Sequence, residues 1–192
     1  MKISRIVAQV MVLGFLLCFL LVLPSAAYNL FDYFIVGIET VIPHTSFTSS
    51  QLSNFRGAAG KWNTAAGETL FSISSSTHSS TTNPPNRHDG NNYIHSTNIG
   101  AEYLALCYRP ATTNGYITEF DIVMNTHYPW GGTNGFDFYS VFLHEMGHAA
   151  GLDHSTHDEA VMFAGGLGVG DMKRILSADD NAGIQAIYYW NW

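Results

Sequence analysis

A chain of 192 residues with 46% hydrophobic and only 12% charged side chains holds enough apolar mass for one buried core, which excludes a disordered or strongly solvated protein. Its 15 acidic residues outnumber its 8 basic ones, for a formal net charge of −7. No basic stripe is available for a polyanion, which argues against nucleic acid as a partner.

The first element is a targeting segment. Lys2 and Arg5 form a short positive region, an uncharged apolar run extends from Ile6 to Leu23, Pro24 breaks it, and Ser25-Ala26-Ala27 supplies small residues for cleavage. The pattern predicts a signal peptide over 1–27 and a mature domain over 28–192, secreted or periplasmic/extracellular and monomeric. Losing Lys2 and Arg5 leaves 6 of the 8 basic residues against 15 acidic ones. The apolar run is long enough to span a bilayer, so membrane attachment is expected only if it stays uncut. Cys18 follows Leu17 and not a small residue, which disfavours a lipoprotein box. Cys107 alone remains in the mature part, so no internal disulfide can form. It sits in the alternating run Glu102 to Tyr108 and is expected to be a buried thiol on a strand.

Residues 28–48 read as mixed and irregular, with Pro43 and His44 in a loop. A helix is predicted over Ser50–Asn63, where Leu52, Phe55, Ala59 and Trp62 recur at spacings of three and four, with the serines as caps. Gly57 and Gly60 weaken it but allow close packing on a sheet. Strands are expected at Thr69–Ser74, Asn92–Ser96, Glu102–Tyr108 and Ile117–Met124. The Ser/Thr-rich stretch Ser74–Asn86 reads as a surface loop. A second helix is predicted over Phe136–Ala150 with Asp137 as its cap. A third opens at Ser177, with Asp180 three residues later and Ile184, Ile187 and Tyr188 on its apolar face. This order points to an α+β layered fold.

The second helix carries the chemistry. His144-Glu145-Met146-Gly147-His148-Ala149-Ala150-Gly151-Leu152-Asp153-His154 reads H-E-x-x-H-x-x-G-x-x-H. Residues four apart share a helix face, so His144 and His148 can reach one metal ion. Glu145 lies about 100° further round, placed for a water on the metal and not for the metal itself. Gly151 can take the left-handed backbone that stops the helix and returns His154 as a third ligand. Three nitrogens leave one tetrahedral position open, the pattern of a catalytic zinc.

With that motif placed, the chain resembles the metzincin metallopeptidases and, within them, the matrixins. Three segments carry the likeness: the zinc motif followed by Ser155; Glu159-Ala160-Val161-Met162-Phe163, similar to the methionine turn; and Leu176 to Tyr188, similar to the closing helix L-S-x-D-D-x-x-G-I-Q-x-I-Y. Ala59 to Trp62 and Ile117 to Asn125 are weaker matches to the first long helix and the last strand. The resemblance implies a metzincin-like zincin fold: a twisted mixed sheet with two long helices, the metal-site helix and a C-terminal helix. It implies one catalytic Zn2+ held by His144, His148 and His154, Glu145 as general base, Met162 as the structural residue beneath the ligands, and a protein or peptide substrate. In the family, the pair equivalent to Asp179 and Asp180 ties the closing helix to the floor of the site. In some members it also holds the mature N-terminal ammonium, here the amine of Tyr28; helix capping is the other reading.

Several features depart from the family. There is no P-R-C-G-type segment and no room for a pro-domain between Tyr28 and the first helix, so cysteine-switch latency is not implied. Where vertebrate matrixins place a histidine of a second zinc site, the last strand offers Val123, and His78, His88 and His95 are spaced wrongly for it. His44, His127 and His157 are expected on the surface or in loops. Asp89, Asp121 and Asp137 could help bind Ca2+, though no loop has a calcium pattern. Phe163-Ala164-Gly165-Gly166 replaces the usual Tyr-Pro-x-Tyr beside the pocket. The expected function is a secreted zinc-dependent metalloendopeptidase. The alternative is a zinc-binding, non-cleaving exported or membrane-anchored binding module, which the retained Glu145 disfavours.

Overall fold

A computed structural model describes residues 26–81 and 89–189; the predicted targeting segment, up to residue 25, lies outside the described residues, as does His88. In chain order the elements are β1 (Glu39–Pro43), α1 (Ser49–Ala66), β2 (Phe71–Ile73), β3 (Asn92–Thr97), β4 (Ala105–Thr113), β5 (Tyr116–Asn125), α2 (Phe138–Ala149) and α3 (Ala178–Tyr188). The strands form one mixed sheet in the order β2-β1-β3-β5-β4, the α+β arrangement expected. Parallel neighbours need a crossover connection, and α1 supplies the one between β1 and β2. Only β4 runs antiparallel, paired to β5, and it occupies an edge of the sheet. Asn114 and Gly115, both with positive φ, close this hairpin between the paired residues Thr113 and Tyr116.

The structure corrects several boundaries. Glu39–Pro43 is a strand inside the stretch read as irregular, with Pro43 its last residue and not part of a loop. Its five residues are too few to show a period above the surrounding mixed sequence. The cap of α1 is Thr48 and not a serine: its side chain accepts from Gln51 N–H, while Gln51 Oε1 accepts from Thr48 N–H. Gly57 packs closely on Tyr139 of α2 and not on the sheet. β4 begins at Ala105, later than predicted, and continues to Thr113 through Pro110. An edge strand tolerates that missing N–H, and the register shifts there, between Tyr108 and Ala111. β5 is central, and every residue from Glu119 to Asn125 is buried.

The core lies where α1 and α2 pack on each other and on the sheet. Phe55 and Trp62 of α1, Phe142 and Met146 of α2, and Ile94 and Ile122 of the sheet are all fully buried. The Phe55 and Phe142 rings lie 4.4 Å apart. Trp62 also donates its Nε1–H to Leu143 O at 2.8 Å, pinning α1 to the residue before His144. Trp62→Phe keeps most of the apolar area but removes this bond, while Leu143 O keeps its partner inside α2. We expect it to lower unfolding free energy by about 0.5–1.5 kcal/mol, read as a reduced urea midpoint with an unchanged slope.

Candidate metal centre

Helix α2 is set in place by its first turn. Asp137 caps it, accepting from Ser140 N–H at 2.9 Å, and the same carboxylate receives the Arg174 guanidinium. His144 and His148 then fall one turn apart on the last part of the helix. Gly151, at φ +101°, reverses the chain, and a Cβ there would meet Tyr33 O at 2.8 Å. The turn that follows is held by the N-terminal segment. Phe31 N–H donates to Gly151 O, Asp153 N–H to Asn29 O, and the Asn29 amide to His154 O at 2.7 Å. Sequence reasoning missed this brace, because single backbone bonds between distant segments leave no periodic signal.

The result brings the three motif histidines together. Their ligand nitrogens lie within 4.8 Å of one another, and among the described residues no other group of three His, Cys, Asp or Glu side chains meets that condition. Two tautomers are set by chemistry. His144 Nδ1 faces Val161 O at 2.8 Å and His148 Nδ1 faces Leu152 O at 2.8 Å. A carbonyl only accepts, so each Nδ1 carries the proton and each Nε2 keeps its lone pair. His148 Nε2 and His154 Nε2 stand 3.3 Å apart. Two nitrogens each bound at roughly 2.0–2.1 Å to one tetrahedral ion would be separated by about that distance, so the set fits zinc.

Burial controls the protonation of this group. His144 is pushed down to about 4 and His148 to about 3, chiefly by desolvation, with neighbouring histidine charges adding to it. Both are neutral near pH 7, as metal ligands must be. Glu145 is 7% exposed, and its carboxyl is pushed up to about 8 by burial, against the opposing pull of the Cys107 backbone N–H and the Arg109 charge. Cys107 lies on a strand as expected but is half-buried and lines the cavity, not fully buried, because β4 is an edge strand; desolvation raises its thiol well above the ordinary range.

The floor of the site comes from the segment after His154. Met162 is 2% exposed, and a Cβ on Gly147 would come within 2.3 Å of its Sδ and 2.9 Å of Trp62 Cζ2. Gly147 thus lets the motif helix lie directly on the methionine, a requirement the H-E-x-x-H spacing does not reveal. Asp180, 1% exposed, receives Val161 N–H at 2.8 Å and Met162 N–H at 3.0 Å while also capping α3 through Ser177. Asp179 accepts from Ala27 N–H and Tyr28 N–H at 2.9 and 3.0 Å and from Ser155 Oγ–H at 2.7 Å. The two carboxylates therefore divide the work between the N-terminal segment and the methionine turn.

The other singled-out residues lie elsewhere. His44, His78 and His95 are neighbours, with ring centroids 5.2 and 4.9 Å apart, although sequence spacing gave no sign of it. His95 is buried next to Val123 across the sheet. His127 and His157 are exposed. Asp89, Asp121 and Asp137 make separate contacts: Asp89 accepts from Asn91, Asp121 from Tyr93 N–H, and Asp137 serves α2.

A cavity of about 500 Å³ opens over the histidines, between the β4 edge and the segment from Phe163 to Leu167. A buried carboxyl beside three converging imidazole lone pairs, on a helix next to a mixed sheet, defines the zinc metallopeptidase class of site. The sequence model of the matrixin family matches residues 45–189, and the chain belongs to that family, whose members are zinc endopeptidases. It is 40% identical over 85 residues to matrix metalloproteinase-20 of Homo sapiens, covering 44% of this chain and 17% of that protein. It is 40% identical over 86 residues to macrophage metalloelastase of Oryctolagus cuniculus, covering 44% of this chain and 18% of that protein. To metalloendoproteinase 5-MMP of Arabidopsis thaliana it is 47% identical over 55 residues, covering 29% and 15%. The chain thus spans less than a fifth of the length of these curated relatives.

Glu145 yields a stability prediction for the metal-free protein. Its folded value near 8 lies above the ordinary 4.5, so its contribution is full below about 4.5 and lost as pH rises through about 8. Glu145→Gln removes the charge that burial opposes. In chelator, its urea midpoint should match the parent protein at pH 5 and exceed it at pH 9 by about 1–3 kcal/mol of stability. The histidines act alike in both proteins and cancel from the comparison.

Proposed function

We propose that this chain is an exported zinc metalloendopeptidase that hydrolyses internal peptide bonds of protein or peptide substrates, with His144, His148 and His154 as the zinc ligands, Glu145 as the general base and Met162 as the packed floor. The observation that carries the reading is the joint aim of the imidazole Nε2 atoms with a buried carboxyl one residue from the first of them. Bound zinc would supply a Lewis acid that polarises the scissile carbonyl and lowers the pKa of a water. Val161 O and Leu152 O hold the imidazoles in the ligating tautomer. Glu145 takes the proton of the attacking water and delivers it to the leaving amine. Burial in the metal-free protein pushes the Glu145 carboxyl above the ordinary carboxylate range, and a zinc dication beside it would draw it back toward the ionised form that can take a proton.

The substrate path follows from the sheet. β4 is an edge strand along the cavity, so its outer backbone groups can pair with an extended peptide and hold it across the metal. On a quenched peptide substrate, zinc-loaded Glu145→Ala should bind one equivalent of zinc and lose about a thousandfold in kcat/KM. Retained activity in that variant would remove Glu145 from its role, and chelator-resistant cleavage by the parent protein would remove the metal from its own.

The mature start is proposed at Tyr28, after the targeting segment. Its backbone nitrogen already lies 3.0 Å from Asp179 Oδ1, where a free ammonium would gain a charge-assisted bond. N-terminal sequencing of the exported protein should begin at Tyr28. Adding one residue before it should reduce activity several-fold through the Asp179–Ser155 link to the turn after His154. Unchanged kinetics in the extended form would discard the pairing. No helix among the described residues is long and apolar enough to cross a membrane.

A further inference from the structure

The cavity wall carries a guanidinium that the hydrolysis does not use. Arg109 lies on β4 and lines the cavity with His148, Glu145 and Phe31. Its Cζ stacks 3.6 Å from the Phe31 ring centroid, and Phe31 is itself stacked on Tyr33 at 5.7 Å. One of its five N–H groups donates to His148 O at 3.3 Å. Among the described residues no carboxylate lies within ion-pair distance of it.

The other cations of this region are differently engaged. Arg174 is paired to Asp137. The Lys173 ammonium is used by the carbonyls of Asp158 and Ala160, holding the segment before Met162. Three acids line the same cavity. Glu102 receives the Tyr103 hydroxyl, Asp153 receives His154 N–H, and Glu145 is the proposed base. Lys173 also lies over a ring, Phe163 at 4.6 Å, but its ammonium serves two carbonyls, whereas Arg109 is stacked on Phe31 with one N–H donated to a carbonyl. Stacking leaves the edge of the guanidinium free, and that planar fork matches a carboxylate.

From this geometry we propose that Arg109 is a specificity-determining residue that selects an aspartate or glutamate side chain of the substrate near the scissile bond. The inference rests on the peptidase reading given above. Position follows from strand spacing. The backbone of Cys107 is bonded to Glu145, and Arg109 is two residues further along β4, roughly 6.5 Å away. A peptide extended beside β4 has the same rise per residue, so its acidic side chain falls two to three residues from the bond cut, on the Phe31 side of the metal. Electrostatics at a half-open site set the scale, about fivefold in kcat/KM for Glu over Gln.

The test uses acetylated, amidated quenched peptides that differ only by Glu, Gln or Lys at each of the three positions on either side of the cleaved bond. The parent enzyme should prefer Glu over Gln at one position two or three residues away. Arg109→Gln should erase that ratio, and Arg109→Glu should reverse it in favour of Lys. A role confined to bracing His148 would lower kcat/KM for every peptide alike and leave the ratios intact, which would overturn the assignment. The same peptides are titrated by anisotropy against zinc-loaded Glu145→Ala, with and without Arg109→Gln, so that selectivity is also read without turnover. Cleavage of neutral peptides with no acid preference defeats this inference while sparing the peptidase. Absence of all cleavage, with Glu-selective binding lost on Arg109→Gln, defeats the peptidase while sparing the role of Arg109 as a carboxylate contact.

Discussion

Two N–H···O=C bonds govern this site: His144 Nδ1 to Val161 O and His148 Nδ1 to Leu152 O. Each removes the freedom of an imidazole to rotate or to swap its proton, and each leaves one lone pair aimed inward. Neither carbonyl belongs to the part of the helix that bears the histidines. Leu152 O exists in the right place only because Gly151 turns the chain, and Val161 O only because Asp180 grips the two N–H groups at Val161 and Met162. Much of the C-terminal half of the domain can be understood as support for two acceptor atoms.

That support is cooperative in the literal sense of shared partners. Asp180 closes the α3 capping box by accepting from Ser177 N–H and positions the methionine turn with the same carboxylate. Asp179, its neighbour, bonds Ser155 after the third histidine and the backbone of the N-terminal segment. The N-terminal segment in turn bonds Gly151 and Asp153 across the turn. These contacts reach the turn that bears His154 and the segment whose Val161 O faces His144, although none of the residues involved is one of the three converging histidines. Carboxylates satisfied by backbone N–H groups suit this task, because charge-assisted bonds are short and strongly directional.

Electrostatics explain why the arrangement can be both stable and reactive. Desolvation lowers the histidines and raises Glu145, so near pH 7 the metal-free site carries little charge. A neutral buried site costs less to fold than a charged one. The positive charge of a bound zinc would then favour the ionised carboxylate, the form that takes a proton. The acidic balance of the chain contrasts with the guanidinium stacked on Phe31 at the cavity wall.

Elements whose signal is local were legible in the chain. The spacing of His144, Glu145, His148, Gly151 and His154 follows from helix geometry, and the α2 and α3 caps from Asp137 and from Ser177 with Asp180. The central strand β5 was legible from its apolar run. The rest emerged from packing. β1 is too short to announce itself, and the Thr48 cap competed with two serines beside it. The closeness of His44, His78 and His95, the fit of Gly147 over Met162, the brace from residues 27–31 and the stacking of Arg109 on Phe31 all join segments far apart in the chain. Such contacts depend on how the layers pack, and packing leaves no period in a single sequence.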